Sequence, residues 1–281
     1  MSILDQSYKA YSFANHKEVY LALEKCFVAF GIKYYLIGAN ARDVQLYKAG
    51  AKPNRGTADI DFALMLPDIE KYNELRTHLL NNGFDQARGN LPYRLLYSAS
   101  NTVIDLLPFG QIAQKNTVQF SERNMELSVV GFHEVALDTE VFEHPEGFTI
   151  PVTPAHGIVI LKLISWSEKP ERTKDLMDIK ALLDAAWELY VDEIFTENSE
   201  YADLFDDDFT THIVAARVMG RKMQNILNRD TQLKTLIINE LKKELDEKAA
   251  SKSQQIIAGT EQSLHEIQMI FNALLMGIND K

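Results

Sequence analysis

The sequence predicts an α+β protein, with strands and helices together over residues 1–152 and helices alone over residues 153–281. Three observations carry this reading. Compact apolar runs such as Lys33-Tyr34-Tyr35-Leu36-Ile37 and Thr102 to Leu107, bounded by Gly, Pro or Asn, read as strands in the first half. The composition changes at Pro154, after which helical stripes continue to the end of the chain. Finally, Thr57-Ala58-Asp59-Ile60-Asp61-Phe62-Ala63-Leu64 reads as a buried strand with two acids set into it.

The elements follow in order. Asn15-His16-Lys17-Glu18 has the spacing of a capping box, and Val19, Leu23, Phe27 and Phe30 then form one stripe that Gly31 ends. After the strand Lys33 to Ile37, Gly38-Ala39-Asn40 turns the chain into a short helix from Ala41 to Tyr47. A strand, a Gly turn and a helix can present backbone N–H groups to a phosphate, while Asn40 can equally serve as a plain N-cap. Lys52 to Gly56 is a loop carrying Lys52 and Arg55. Beyond the acid strand, Pro67-Asp68 opens a helix with Ile69, Tyr72, Leu75 and Leu79 inward. Tyr93 to Tyr97 and Thr102 to Leu107 form a hairpin about Ser98-Ala99-Ser100-Asn101. Glu126 to Val130 and Phe148 to Val152 are further strand candidates. The later helices start with an apolar one, Ile158 to Trp166, and another from Glu171. They continue as Thr210 to Leu227, Leu233 to Lys248 and Gln254 to Met276, with an acidic loop at Asp203 to Asp208.

Composition excludes several classes. A net charge of −11 argues against broad adhesion to nucleic acid or membrane, although a local basic groove remains open. Cys26 is the one cysteine, which excludes an intramolecular disulfide and a cysteine-rich metal site. The seven histidines show no metal spacing. No 18-residue apolar run occurs and Met1 to Phe13 is too polar for a signal peptide, so a soluble cytoplasmic protein is expected.

The acids carry the chemistry. Side chains alternate along a strand, so Asp59 and Asp61 share one face while Ile60, Phe62 and Leu64 share the other. Two carboxylates about 7 Å apart repel each other, and either the face is solvated or a cation joins them. Carboxylate pairs of this kind are the usual protein ligands of Mg²⁺, which takes the rest of its shell from water and substrate phosphates. Asp105 is a lone acid in the apolar run Thr102 to Leu107, and a buried unpaired Asp is rare. Lys162 interrupts Val159-Ile160-Leu161-Lys162-Leu163-Ile164; it either snorkels from the helix margin or neutralises phosphate. Asp175 and Asp178 share a face of the next helix, where a solvated face accounts for them on pattern alone.

Gly38-Ala39-Asn40-Ala41-Arg42-Asp43, then Thr57 to Ala63, then Ile104-Asp105-Leu106 resemble the nucleotidyltransferase superfold. Lys162 followed by Glu171-Arg172-Thr173-Lys174-Asp175-Leu176-Met177-Asp178-Ile179 resembles its AbiEii/AbiGii toxin branch. The resemblance covers about Tyr34 to Leu183. It implies a mixed sheet flanked by helices and a helical C-terminal domain closing the nucleotide cleft. It implies that Asp59 and Asp61 hold Mg²⁺, that Asp105 activates the acceptor hydroxyl, and that Gly38 and its turn cradle the triphosphate. Asn40, Arg42, Arg55, Lys162 and Asp178 fall on the nucleotide side. The usual Gly-Gly or Gly-Ser turn is here Gly38-Ala39, which gives less backbone freedom at Ala39. The implied activity is Mg²⁺-dependent transfer of an NMP from an NTP to a tRNA 3′ end or a protein hydroxyl. The implied role is the toxin of a toxin–antitoxin or phage-defence system with a cognate antitoxin. The competing reading is a catalytically silent nucleotide-binding or antitoxin protein. For a tRNA, Lys52, Arg55, Lys169, Arg172 and Lys174 are the candidate cations.

Overall fold

The computed structural model describes residues 8–89, 91–197, 199–205, 210–246, 248, 251–257 and 262–280. Met1 to Ser7 of the N-terminal reading, Asp206 to Asp208 of the acidic loop, and Ala258 to Glu261 of the last helix reading lie outside the described residues, as do Glu247, Ala249 and Ala250. The chain divides into two compact units, Met1–Val44 with Lys52–Pro154, and Gln45–Ala51 with Ala155–Lys281.

The first unit is a mixed sheet with helices. Its elements are α1 (Lys17–Ala29), β1 (Lys33–Ile37), the start of α2 (Gly38–Lys48), β2 (Asp59–Met65), α3 (Ile69–Leu80), β3 (Phe84–Gln86), β4 (Arg94–Tyr97) and β5 (Thr102–Phe109). A small β6–β7 hairpin (Thr117–Phe120, Met125–Ser128), α4 (Phe132–Ala136), β8 (Glu140–His144) and β9 (Phe148–Val152) complete it. Among the described residues seven strands form one sheet in the order β3-β4-β5-β2-β1-β9-β8. β2 lies at its centre, antiparallel to β1 and parallel to β5. One face of β2 packs inward: Ile60, Phe62 and Leu64 are buried, and the Phe62 ring meets Phe27, Tyr34 and Tyr20 at 5.8, 5.8 and 5.9 Å. The expected alternation therefore holds, and it leaves Asp59 and Asp61 on the opposite, half-buried face.

Two local expectations are overturned at α1 and α2. Asn15 closes a 3₁₀ turn over Ser12–Asn15, so His16 takes the N-cap of α1 and makes no side-chain cap bond. α2 begins at Gly38, so Asn40 sits inside its first turn and is not its N-cap. Asp68 does cap α3, accepting from the Lys71 N–H at 2.7 Å.

The second unit is helical: α5 (Ala155–Glu168), α6 (Thr173–Asp184), α7 (Ala186–Ile194), α8 (Thr211–Leu227), α9 (Thr231–Lys243), α10 (Ser251–Ile257) and α11 (Leu264–Asn279). α8 and α11 cross closely at Gly220 and Gly277, where a Cβ on Gly277 would stand 2.2 Å from the Arg217 carbonyl. Arg217 and Arg221 then hold Asp280 at the end of α11 through bonds of 2.7 to 3.0 Å. Among the described residues no helix is long and apolar enough to cross a membrane.

Candidate active site

The parallel register of β2 and β5 sets Asp61 beside Asp105, and residues side by side in neighbouring strands point to the same face. Asp59 lies two residues back on that face. One carboxylate oxygen from each of Asp59, Asp61 and Asp105 falls within 4.8 Å of the others. Asp105 is buried and the other two are half-buried, so solvent reaches the cluster at Asp59 and Asp61.

The turn after β1 is built around this cluster. Gly38 has a left-handed φ of 69°, and a Cβ there would stand 2.2 Å from Oδ2 of Asp61. Glycine is required on both counts: the conformation disfavours any side chain, and the carboxylate already fills the space. Ala39 is already helical, so the position where the usual turn carries a second Gly or a Ser needs no glycine freedom here. Asn40 is fully buried and donates through Nδ2 to the Asp59 carbonyl at 2.7 Å, which ties the helix start to the acid strand. Its Oδ1 accepts from the Tyr20 hydroxyl at 3.3 Å. Burial, with the Asp43 and Asp61 carboxylates adding to it, holds that phenol well above its ordinary value, so Tyr20 stays a neutral donor. Thr57 Oγ1 donates to Asp59 Oδ1.

Arg42 belongs to the scaffold. It is fully buried, with Nε on Asp43 Oδ1 at 2.8 Å and Nη2 on the Arg55 carbonyl at 2.9 Å. Asp43 in turn accepts from the Ser12 N–H and hydroxyl. The pair anchors the loop that delivers β2, and the side chain is spent on protein atoms.

Arg94 is the residue that reading the strands one at a time missed. It stands opposite Asp105 across the β4–β5 hairpin. Its Nε and Nη2 reach the two Asp105 oxygens at 2.7 and 2.6 Å, and Nη2 lies 3.8 Å from Asp59 Oδ2. The bond to Asp105 is the main reason its guanidinium binds its proton even more firmly than usual.

Lys162, Asp175 and Asp178 form a second ionic cluster, within the helical unit. Lys162 Nζ meets Asp175 Oδ1 at 2.7 Å and Asp178 Oδ2 at 2.8 Å. Both acids are fully buried, which overturns the solvated-face account of their spacing. Neither does Lys162 snorkel, since its side chain is only 12% exposed. Asp175 also accepts from Ser165 and Arg172. Burial pushes its carboxyl up, but Lys162 and Arg172 outweigh that and hold it below the usual carboxylate range. Arg172 is thereby engaged, whereas Lys52, Lys169 and Lys174 are exposed.

A cavity of about 600 Å³ opens at the other end of β2 and β5, lined by Met65, Phe109, Lys115, Asn116 and His133 among others. None of the three acids lines it.

Three hard oxygen donors this close suit Mg²⁺ or Mn²⁺, not the softer metals that prefer thiolate or imidazole. The chain is similar in fold to the antibiotic-resistance factor ANT(2'')-Ia, whose solution structure matches at a TM-score of 0.37 and 13% identity, over 62% of this chain and 86% of that one. It is also similar to the crystal structure of an antigenic nucleotidyltransferase-like protein from Paracoccidioides brasiliensis, at a TM-score of 0.41 and 16% identity, over 80% of this chain and 93% of that one. No curated protein matches the sequence. The family described as nucleotidyl transferase AbiEii toxin, type IV TA system, matches residues 22–266, most of the chain. The chain is therefore a nucleotidyltransferase and belongs to the AbiEii toxin family of type IV toxin–antitoxin systems.

Proposed function

We propose that this protein transfers an NMP from an NTP to a tRNA 3′ end or a protein hydroxyl, with Mg²⁺ held by Asp59 and Asp61. The convergence of Asp59, Asp61 and Asp105 within 4.8 Å carries the reading. Bound there, Mg²⁺ supplies charge stabilisation for the attacking and leaving oxygens of an in-line displacement at the α-phosphorus. The chain's own residues do the rest. Asp105 accepts the proton of the acceptor hydroxyl. Gly38 opens α2, so the first N–H groups of that helix are the donors for the triphosphate. Asn40 keeps that helix start fixed to Asp59. Little other side-chain chemistry is needed, since positioning and electrostatics dominate such transfers.

The family supports a toxin role with a cognate antitoxin, and a cytoplasmic, phage-defence setting belongs to the same reading. Lys162 and Asp178 are carried as nucleotide-side residues on the resemblance, and Arg55 with them. The test is incubation with each labelled NTP in the presence of total RNA and cell lysate, with Mg²⁺ or EDTA. Label on RNA, or on protein, names the acceptor. Asp61→Ala should remove all labelling while leaving the melting temperature unchanged or raised, because one repelling carboxylate is gone. No labelling by the wild type with any NTP would instead favour the silent nucleotide-binding protein.

A further inference from the structure

We infer that Arg94 is a built-in counter-ion of the acid cluster, held on Asp105 until a divalent cation takes its place. The inference rests on the metal reading above and concerns what the chain does before metal arrives.

Three carboxylates within 4.8 Å repel one another, and the low dielectric of a partly buried site strengthens that repulsion. A cation nearby relieves that repulsion, most of all at Asp105, the buried member of the three. Arg94 is supplied for this by the strand register itself, as the cross-strand partner of Asp105. Its grip is two-toothed, 2.7 and 2.6 Å to the two Asp105 oxygens, the strong geometry of a guanidinium on a carboxylate. The same Nη2 lies 3.8 Å from Asp59 Oδ2, so a single guanidinium group leans over two of the three acids.

That position conflicts with the cluster's proposed work. Both oxygens of Asp105 accept from Arg94, which makes the carboxylate a poorer proton acceptor and a poorer ligand. A divalent ion held by Asp59 and Asp61 would stand a few ångströms from a fixed positive charge, since Arg94 Nη2 already lies 3.8 Å from Asp59 Oδ2. Lower total energy follows if Arg94 swings away. It can do so, because its side chain is 29% exposed where Asp105 is only 8% exposed. Arg94 is thus a positioning residue with two states: on Asp105 without metal, and turned outward with it.

The test uses Mn²⁺ as the probe on the full chain, with affinity from calorimetry and from the free-ion signal in electron paramagnetic resonance. Arg94→Met removes the charge and keeps the bulk. It should bind Mn²⁺ at least about tenfold more tightly than wild type, which is about 1.4 kcal/mol. Without metal it should melt lower than wild type, and saturating Mn²⁺ should raise its melting temperature by more. Arg94→Lys keeps the charge but loses the two-toothed grip, and should bind tighter by a smaller factor. Asp61→Asn should abolish binding in every background, which places the ion at the cluster. Unchanged or weaker Mn²⁺ affinity in Arg94→Met, or in Arg94→Lys should Arg94→Met fail to fold, overturns the counter-ion while leaving the metal site standing. Absence of Mn²⁺ binding in wild type and variants alike overturns both.

Discussion

Replacing Gly38 by Ala separates the two demands that the turn makes. The first is conformational. A non-glycine residue at a φ of 69° costs about 1–2 kcal/mol. The second is spatial. The new Cβ would stand 2.2 Å from Asp61 Oδ2, against a floor of 3.0 Å for real contacts, so something must yield by about 0.8 Å. The nearest atom is the far end of a side chain, and carboxylates rotate, so the sheet does not have to part. The stability cost should therefore stay near the conformational term alone, a fall of about 2–8 °C in melting temperature for a domain of this size. The functional cost should be larger. A misplacement of about 1 Å at a reacting centre costs about a hundredfold in rate.

The assay is a pair of measurements on Gly38→Ala, thermal unfolding and labelling rate with saturating NTP, with the unfolding measurement alone repeated in an Asp61→Ala background. With the carboxylate gone, the spatial term vanishes and the same conformational penalty should remain. A Gly38→Ala protein that keeps wild-type rate and Mn²⁺ affinity would refute the reasoning. So would a melting temperature lower by far more than the conformational term, since that would mean the backbone gives way in place of Asp61.

Other expected outcomes concern the two units separately. Lys162→Met strips the shared cation from two fully buried acids and should cost about 3–5 kcal/mol at pH 7 by urea unfolding. Asp175 sits below its usual carboxylate range in the folded chain, so its contribution is present above about pH 3.9 and lost as pH falls through the folded value. The gap between wild type and Lys162→Met should therefore narrow below about pH 4. Gly277→Ala drives a Cβ to 2.2 Å from the Arg217 carbonyl and 2.9 Å from the Arg221 nitrogen, backbone atoms that cannot rotate away. It should cost about 1–3 kcal/mol or more, read as a lowered urea midpoint, and Gly277→Ser should do no better. His16 and His144 are both held below the ordinary imidazole value, chiefly by burial. Neutral in the folded chain, they add stability above about pH 6.5 that is lost as pH falls through their folded values, so the urea midpoint should drop between pH 7.5 and 5.5.

Much of the sheet was legible because its central strands are long and sharply patterned. β1, β5 and β9 follow from apolar runs with clear ends, and β2 from the alternation that puts Ile60, Phe62 and Leu64 on one side. The stretch from Pro108 to Gly147 was not legible beyond β7. β6, α4 and β8 are four or five residues long, too short for either period to emerge. β3 has three residues and gains its place from pairing with β4. At Asn15 a 3₁₀ turn overrode the local capping pattern, as tertiary context often does. Asp175 and Asp178 depart from the solvated face that their spacing suggests for a different reason. Their spacing describes their own helix, while the cation that lets them be buried comes from Lys162, on the preceding one.

Arg94 shows where a sequence reading can be extended. The turn at Ser98-Ala99-Ser100-Asn101 pairs Tyr97 with Thr102, and counting outward one step at a time reaches Leu96 with Val103, Leu95 with Ile104, and Arg94 with Asp105. Opposite charges directly across an antiparallel pair attract, and both strands and their turn follow from the sequence. The lone buried acid therefore had a partner that hairpin counting alone would have named. Asp61 beside Asp105 is of another kind. β2 and β5 are parallel and separated by α3, β3 and β4, so their register depends on packing that no local pattern encodes. Register within a hairpin can thus be counted from a sequence, and register across a parallel crossover cannot. The acid cluster draws on both, which is why its cation could have been named from the sequence and its convergence could only be expected.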